Sequence, residues 1–375
     1  MTPPVNYHLG RFPPEILNWE KLIPFLGKAS ASLARYDGLL SAIPNATVLL
    51  SPLTKQEAVL SSKIEGTNVT LGEVLEIEAG IEPQNITQPK RDDAVEILNY
   101  RLALQYCSES LMDRELSLSL LKEAHQLLME GVRGRDKSPG QFRVRQNMIG
   151  ARGSKKLSEA SFIPIATEHL ISGMESWETF LNRNDYPDPL VQLAIAHIEF
   201  EALHPFEDGN GRLGRMILPL FLYKKKILSG PSFYMSGYLE LHREIYHRLL
   251  REVSEYDNWT EWCEFFLQGI IDQASENEGK ARKILNLYDK IKNKVTEITH
   301  SQHAIKAVDY LFNDPVFSGP QFSSLSEIPR PTSARILRIL RDQGILHTLE
   351  EGRGRRPGYY VFRELVNIAE GTDLF

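Results

Sequence analysis

The sequence predicts a mainly α-helical protein with one β-hairpin in its central region and a C-terminal winged helix-turn-helix domain. Three observations carry this. Two apolar runs of helical length, PLVQLAIAHIEFEAL from Pro189 and RLGRMILPLFLYKKK from Arg212, bracket a Gly-Asn-Gly turn. A strip over residues 140–165 alternates loosely, with Phe142, Val144, Met148 and Ile149 on one side of a polar Gly/Ser/Lys tip and Phe162-Ile163-Pro164 on the other, which reads as a hairpin. From His300 the tail reads helix (HAIKAVDYLF), helix (QFSSLSEI), helix (PTSARILRILRDQGIL, stopped by Gly344) and hairpin (HTLEEGRGRRPGYYVF).

Taken in order, residues 1–95 form an N-terminal helical segment that ends in the polar stretch GIEPQNITQPKRDD. Within it, SPLTKQEAVLSSKIEGT is expected to open on a Thr54–Glu57 capping box and to stop at Gly66. Residues 96–270 make the helical core. Residues 271–300 make a charged connecting helix with Ile284, Leu287, Tyr288 and Ile291 on its apolar side. Residues 301–375 make the winged helix, presenting Arg335, Arg338 and Arg341 on its third helix and Arg353, Arg355 and Arg356 on its wing. DNA is a possible partner through those arginines. The segment is nonetheless neutral overall, with nine basic and nine acidic residues.

The richest stretch chemically is HPFEDGNGRLGR, residues 204–215. His204 is a general-base candidate and Asp208 an oxygen ligand for a hard cation such as Mg²⁺. The turn Gly209-Asn210-Gly211 can aim backbone N–H groups at a phosphate from the start of a helix, where the dipole also favours an anion. Arg212 and Arg215, three apart, can hold successive phosphates of a polyphosphate. Each piece alone has a bland meaning: a helix exit, a turn, a solvated face. Twelve consecutive residues that satisfy all of them point to phosphoryl-group chemistry.

Composition sets the limits. The chain has 375 residues, 42% hydrophobic and 25% charged, which suits two or three globular domains. A net charge of −6 argues against a general nucleic-acid coat. Cys107 and Cys263 are too few for a disulfide framework, which favours a reducing, cytoplasmic setting. The N-terminal residues lack a basic stretch followed by an apolar run, and no apolar run reaches membrane-spanning length. No membrane association is expected, and a homo-oligomer is.

Residues 204–215 resemble, position by position, the signature of Fic-domain proteins (the Fic/DOC family), H-P-F-x-[D/E]-G-N-G-R-x-x-R. The resemblance implies a protein adenylyltransferase that moves AMP from ATP to a Ser, Thr or Tyr hydroxyl of a target protein or of itself. It implies His204 as base, Asp208 as Mg²⁺ ligand, Gly209, Asn210, Gly211 and Arg212 around the phosphates, and Arg215 on the γ-phosphate. Upstream, Ser61-x-x-x-Glu65-Gly66 is similar to the family's inhibitory motif, in which the glutamate takes the second arginine, here Arg215. The central hairpin resembles the family's flap, whose open edge would pair with the target beside Phe162 and Ile163. The segment YMSGYLELHREIY stands where relatives enclose adenine, with Tyr238 and Tyr246 as candidates; His242 replaces the asparagine common there. The rival readings are a DNA-binding regulator with a nucleotide-sensing core and an enzyme that also removes AMP.

Overall fold

The computed structural model describes residues 4–43, 45–81, 87–131, 137–150, 160–352 and 356–374. In chain order the elements are β1 (Val5–Asn6), α1 (Trp19–Ser41), α2 (Ala46–Leu49), α3 (Ser51–Ile64), α4 (Leu71–Glu78), α5 (Gln88–Ser110), α6 (Leu118–Leu128), β2 (Ile149–Gly150), β3 (Ala160–Ile163), α7 (Thr167–Asn182), α8 (Pro189–Leu203) and α9 (Asn210–Lys224). There follow α10 (Ser236–Leu241), α11 (Arg243–Tyr256), α12 (Trp259–Thr299), α13 (Ala304–Asn313), β4 (Val316–Ser318), α14 (Gly319–Leu325), α15 (Arg330–Asp342), β5 (His347–Glu350), β6 (Tyr359–Val361) and α16 (Arg363–Glu370). The protein is mainly helical, as expected. It divides into two compact units, one from Met1–Asp37, Leu60–Gly66 and Leu98–Ser275, the other from Gly38–Val59, Thr67–Ile97 and Glu276–Phe375.

In the first unit α8 is the central helix. Asp188 caps it by accepting the N–H groups of Leu190 and Val191, Pro189 opens it, and every residue from Leu190 to Leu203 is buried. A helix apolar on all sides must be enclosed on all sides. Accordingly Trp177 of α7 and Trp262 of α12 donate their indole N–H groups to the Ala196 and Ala194 carbonyls, each at 2.7 Å.

The central hairpin is shorter than the sequence suggests and is not a two-stranded element. β2 pairs antiparallel with β3, while β1 pairs parallel with β3 on its other side, Val5 opposite Phe162 and Asn6 opposite Ile163. The strand that carries Phe162 and Ile163 therefore has no open edge; the edge left on the hairpin side is that of β2. Phe142 and Val144 lie outside the strands. The hairpin tip, residues 151–159, lies outside the described residues.

In the second unit, Thr54 begins no helix. Its hydroxyl donates back to the Leu50 carbonyl at 3.4 Å from inside α3, because α2 hands the chain almost directly to α3 and leaves no free N-terminus there. The capping box stands at Thr70, which opens α4 with Glu73. α12 runs unbroken for 41 residues from Trp259, so the charged stretch after Ser275 continues a helix begun earlier. The C-terminal elements follow the expected order of three helices and a hairpin, with β4 and α16 added and a three-stranded sheet in the order β4-β6-β5. Arg335 is engaged with the Thr299 carbonyl at 3.1 Å. Arg330, Arg338 and Arg341 line a groove of about 600 Å³ with Tyr360. Arg353 and Arg355 lie outside the described residues.

Candidate active site

The loop between α8 and α9 is held by its own backbone and by two side chains that sequence reasoning did not single out. His204 ends α8 in the left-handed region (φ 47°, ψ 61°), its N–H still donating to the Phe200 carbonyl. Arg143, 3% exposed, donates from Nε to the His204 carbonyl at 2.9 Å and from Nη2 to the Ile165 carbonyl, while its backbone N–H reaches the Pro205 carbonyl at 2.9 Å. A buried guanidinium thus closes the loop that carries the base. In the sequence, Arg143 sits between two apolar residues and reads as the polar position of a strand.

The second is His125, on the apolar face of α6. Its ring stacks on Phe206 with centroids 3.8 Å apart. Nδ1 accepts from the Gly140 N–H at 2.9 Å, which makes Nε2–H the donor to the Asp208 carbonyl, also at 2.9 Å. Asn210 completes the brace: its amide oxygen accepts from the Phe206 N–H at 2.8 Å and its amide nitrogen donates to the Phe206 carbonyl at 2.9 Å. Asn210 therefore stands in the turn between α8 and α9 as the residue that holds its shape.

Beyond the turn, the first intrahelical donor of α9 is Leu213, which bonds Gly209, so the N–H groups of Asn210, Gly211 and Arg212 form the helix's open end. His204 faces the same space. Its Nδ1 lies 3.4 Å from the Glu201 carbonyl, an acceptor only, so Nδ1 carries the proton and Nε2 keeps the lone pair a base needs. Burial pushes the imidazole down to about 4, against the pull of Glu65. His204 is thus neutral and available as a base at neutral pH.

Arg215 turns toward α3. Its Nε donates to the Ser61 hydroxyl at 2.9 Å, and its Nη2 donates to the Ser61 carbonyl and to Glu65 Oε1, each at 2.8 Å. Burial works against the charge of Glu65, yet Arg215 beside it holds the carboxyl below its ordinary range. The arginine is buried, whereas the Glu65 side chain keeps 44% of its exposure, so water screens the pair from one side. Gly211 lets the carboxylate come this close, because a Cβ there would collide with it. The end of α3 also has a cation: Arg243 donates to the Ile64 carbonyl at 2.7 Å. Ser61, Glu65, His204, Gly211 and Arg215 are therefore brought together.

Glu65, Glu201, His204, Gly211, Arg215 and Tyr246 line a cavity of about 290 Å³, with Ile149 and Phe162 of the hairpin on its wall. Phe162 is itself buried against Val5 and Ala202. Tyr246 bonds His197 at 3.0 Å; Tyr238 instead packs on His242 and Phe265, away from this wall. Arg212 is buried toward the Met129 sulfur at 3.7 Å, with Asp208 at 3.9 Å, so the two arginine head groups part despite sharing a helix face.

Asp208 keeps 47% of its side-chain exposure, and one oxygen accepts the Gly209 N–H at 2.7 Å. Among the described residues no cluster of three or more His, Cys, Asp or Glu could cage a metal ion. One half-exposed carboxylate beside an anion-binding turn is a donor set that suits Mg²⁺ shared with substrate phosphates, since this ion keeps waters and takes few protein ligands.

Burial of histidines sets a pH dependence of stability, to which His125 and His197 contribute together with His204. His125 and His197 are 0% and 1% exposed, and burial lowers them to about 4 and about 3. Their folded-state values lie below the ordinary 6.5, so the unfolded chain binds protons first as pH falls. Their contribution is complete above about pH 7 and is lost toward pH 4, each at up to about 1.4 kcal/mol per unit. Glu201, raised to about 7, opposes one of them. The melting temperature is expected to fall between pH 7 and pH 5 and to fall less in His125→Gln; equal slopes would contradict the assignment.

Two family models match the chain. The model described as Fic/DOC family N-terminal spans residues 23–109, and the one described as Fic/DOC family spans 115–222, together about half of the chain. The chain belongs to the Fic/DOC family. Among curated Fic relatives, Protein adenylyltransferase Fic of Drosophila grimshawi is 29% identical over 198 residues, covering 49% of this chain and 37% of that protein. Protein adenylyltransferase fic-1 of Caenorhabditis briggsae is 27% identical over 169 residues, 43% of this chain and 30% of that protein. The chain thus matches about a third of the length of these relatives. A Fic family protein from Desulfovibrio desulfuricans G20 shares the fold with TM-score 0.58 at 20% identity, over 93% of this chain and 98% of that one. Fic-1 of Caenorhabditis elegans does so with TM-score 0.53 at 17% identity, over 72% and 74%. Among the described residues no helix is long and apolar enough to cross a membrane, and both cysteines are buried and unbridged.

Proposed function

We propose that this Fic protein is an ATP-dependent protein adenylyltransferase held in check by Glu65. The observation that carries this reading is the shared cavity: a neutral His204, whose Nε2 keeps its lone pair, lines the same space as Gly211 at the N-terminal end of α9 and Arg215. A target hydroxyl gives its proton to His204 as its oxygen attacks the α-phosphorus of ATP. The new bond joins that oxygen to AMP, and the bond to pyrophosphate breaks. Catalysis here is positioning and electrostatics: the N-terminal end of α9 from Asn210 to Arg212 meets the developing charge with its N–H groups and dipole, and the Arg143 clamp fixes the base. Mg²⁺ bound at Asp208 with ATP would neutralise phosphate charge. A regulator that merely senses nucleotide would have no use for a base at His204.

The target strand is expected along the open edge of β2, because β1 already occupies the far side of β3. Glu65 acts as a latch, since an arginine bonded to a carboxylate cannot also receive the γ-phosphate. Incubation with α-labelled and, separately, γ-labelled ATP tests the reaction: protein-bound label from the α position alone is expected, and label from the γ position would make the enzyme a kinase instead. Asp208→Ala should weaken Mg²⁺-dependent ATP binding with little change in melting temperature, because the carboxylate is half exposed. Unaltered metal dependence would remove Asp208 from the site.

A further inference from the structure

Glu201 is a buried carboxyl that the reaction above does not use. It lies on α8 three residues before His204 and is 9% exposed. Its Oε1 has no hydrogen-bond partner among the described residues. The side chain is aimed at α9, where a Cβ on Gly214, the residue before Arg215, would collide with the carboxyl. Of the residues lining the cavity, Glu65 and Glu201 are the carboxylates. One guanidinium therefore stands among two acids, and its short ion pair is with Glu65.

We propose that Glu201 is the alternate counter-ion of Arg215, a positioning residue that receives the guanidinium when Glu65 withdraws and yields it when ATP arrives. The inference rests on reading Glu65 as a latch. When Glu65 leaves, Arg215 loses its short ion pair and keeps on α3 only the neutral hydroxyl and carbonyl of Ser61, and a buried cation without a counter-ion is strongly destabilising. Glu201 is placed to take that charge within the cavity.

The charges make the exchange proton-linked. With Glu65 seated, burial first and then repulsion by Glu65 raise Glu201 to about 7 despite Arg215. Two carboxylates around one guanidinium in a desolvated cavity would leave a net negative charge, so Glu201 keeps its proton. Once Glu65 is gone, the repulsion ends and the attraction of Arg215 is unopposed. Glu201 then releases its proton to solvent and bonds Arg215 as a carboxylate. A γ-phosphate that later takes Arg215 restores the first situation, and Glu201 recovers a proton.

The other titratable or charged groups around this space are His197 and His204 on α8, Arg212 on α9, Tyr246, His247 and Arg251 on α11, and Arg143 in the loop before β2. Burial lowers all three histidines, to about 3 for His197 and about 4 for His204, which leaves Glu201 as the carboxyl that titrates near neutrality.

Infrared spectroscopy of the whole chain tests this without relying on turnover. At pH 6 the wild type should show a protonated-carboxyl C=O stretch that Glu201→Gln lacks and that is diminished in Glu65→Gly. A band unchanged by Glu65→Gly, or no such band in the wild type, would overturn the proposal. Glu201→Gln is an isostere of the neutral acid, so it should fold; the wild type and Glu65→Gly decide the matter even if it does not. In the Glu65→Gly background the Kd for Mg-ATP should rise with pH between the lowered titration of Glu201 in the ATP-free protein and its raised titration with ATP bound, by at most about tenfold per unit, as one proton must be regained. Glu201→Gln in that background should remove this slope, and a slope that persists would assign the proton to another group. If Glu65→Gly fails to activate transfer, the latch reading fails by itself; if it activates transfer while the band stays, only the role of Glu201 fails.

Discussion

Replacing His204 with alanine should lower AMP transfer by about 10²–10⁴-fold, the usual contribution of a positioned base, while ATP binding changes little. In the proposed mechanism the imidazole acts on the incoming hydroxyl and leaves the phosphates to the turn and α9. Arg143 holds the His204 carbonyl and not its ring, so the loop should keep its shape without the side chain. The backbone φ of 47° adds a separate cost, because alanine tolerates the left-handed region poorly. His204→Asn is the control, since asparagine adopts that conformation readily and supplies no comparable base. Both variants should lose transfer and keep nucleotide affinity, with His204→Asn melting closer to the wild type. If either retained most of its transfer rate, the proton would have to leave by another route.

Glu65→Gly should raise transfer, including onto the protein itself, and Arg215→Ala in that background should remove most of the gain. A fully buried charge-assisted pair would contribute about 1.5–3 kcal/mol. With 44% of the Glu65 side chain still exposed, solvent screening reduces this to about 1–2 kcal/mol, or roughly a five- to thirtyfold activation. An alternative account has Glu65 merely steadying the end of α3. That role already belongs in part to Arg243, which bonds the Ile64 carbonyl. A merely structural Glu65 would give Glu65→Gly a lower melting temperature and no gain in transfer. Self-modification rates and melting curves of the wild type, Glu65→Gly and the double variant therefore separate the two accounts.

The local chemistry of the site was legible in the sequence because its pieces are contiguous. His204, Asp208, Gly209, Gly211 and the two arginines lie within twelve consecutive residues, and the runs either side of the glycine turn declare helices through length and apolar content. The same held for the C-terminal helices, whose periodicity and Gly344 stop are local signals. Thr54 misled because a capping box is also a local signal, and nothing near it reveals that α2 already leads the chain into α3.

What the sequence by itself determined was thus the helical class, the α8–turn–α9 unit and the inventory of groups able to handle a phosphate. The tertiary structure decided who meets whom. Arg143 reads as a strand residue until the fold brings four backbone carbonyls around it. Strand β3 reads as a hairpin edge until Val5 and Asn6, more than 150 residues away, pair along it. Glu201 reads as a polar lapse in an apolar helix until Arg215 and Glu65 surround it with charge. Hydrogen bonding and desolvation depend on distance in space, so a group's partners and its protonation are properties of the folded chain, whereas helix propensity and turn chemistry are settled within a few residues.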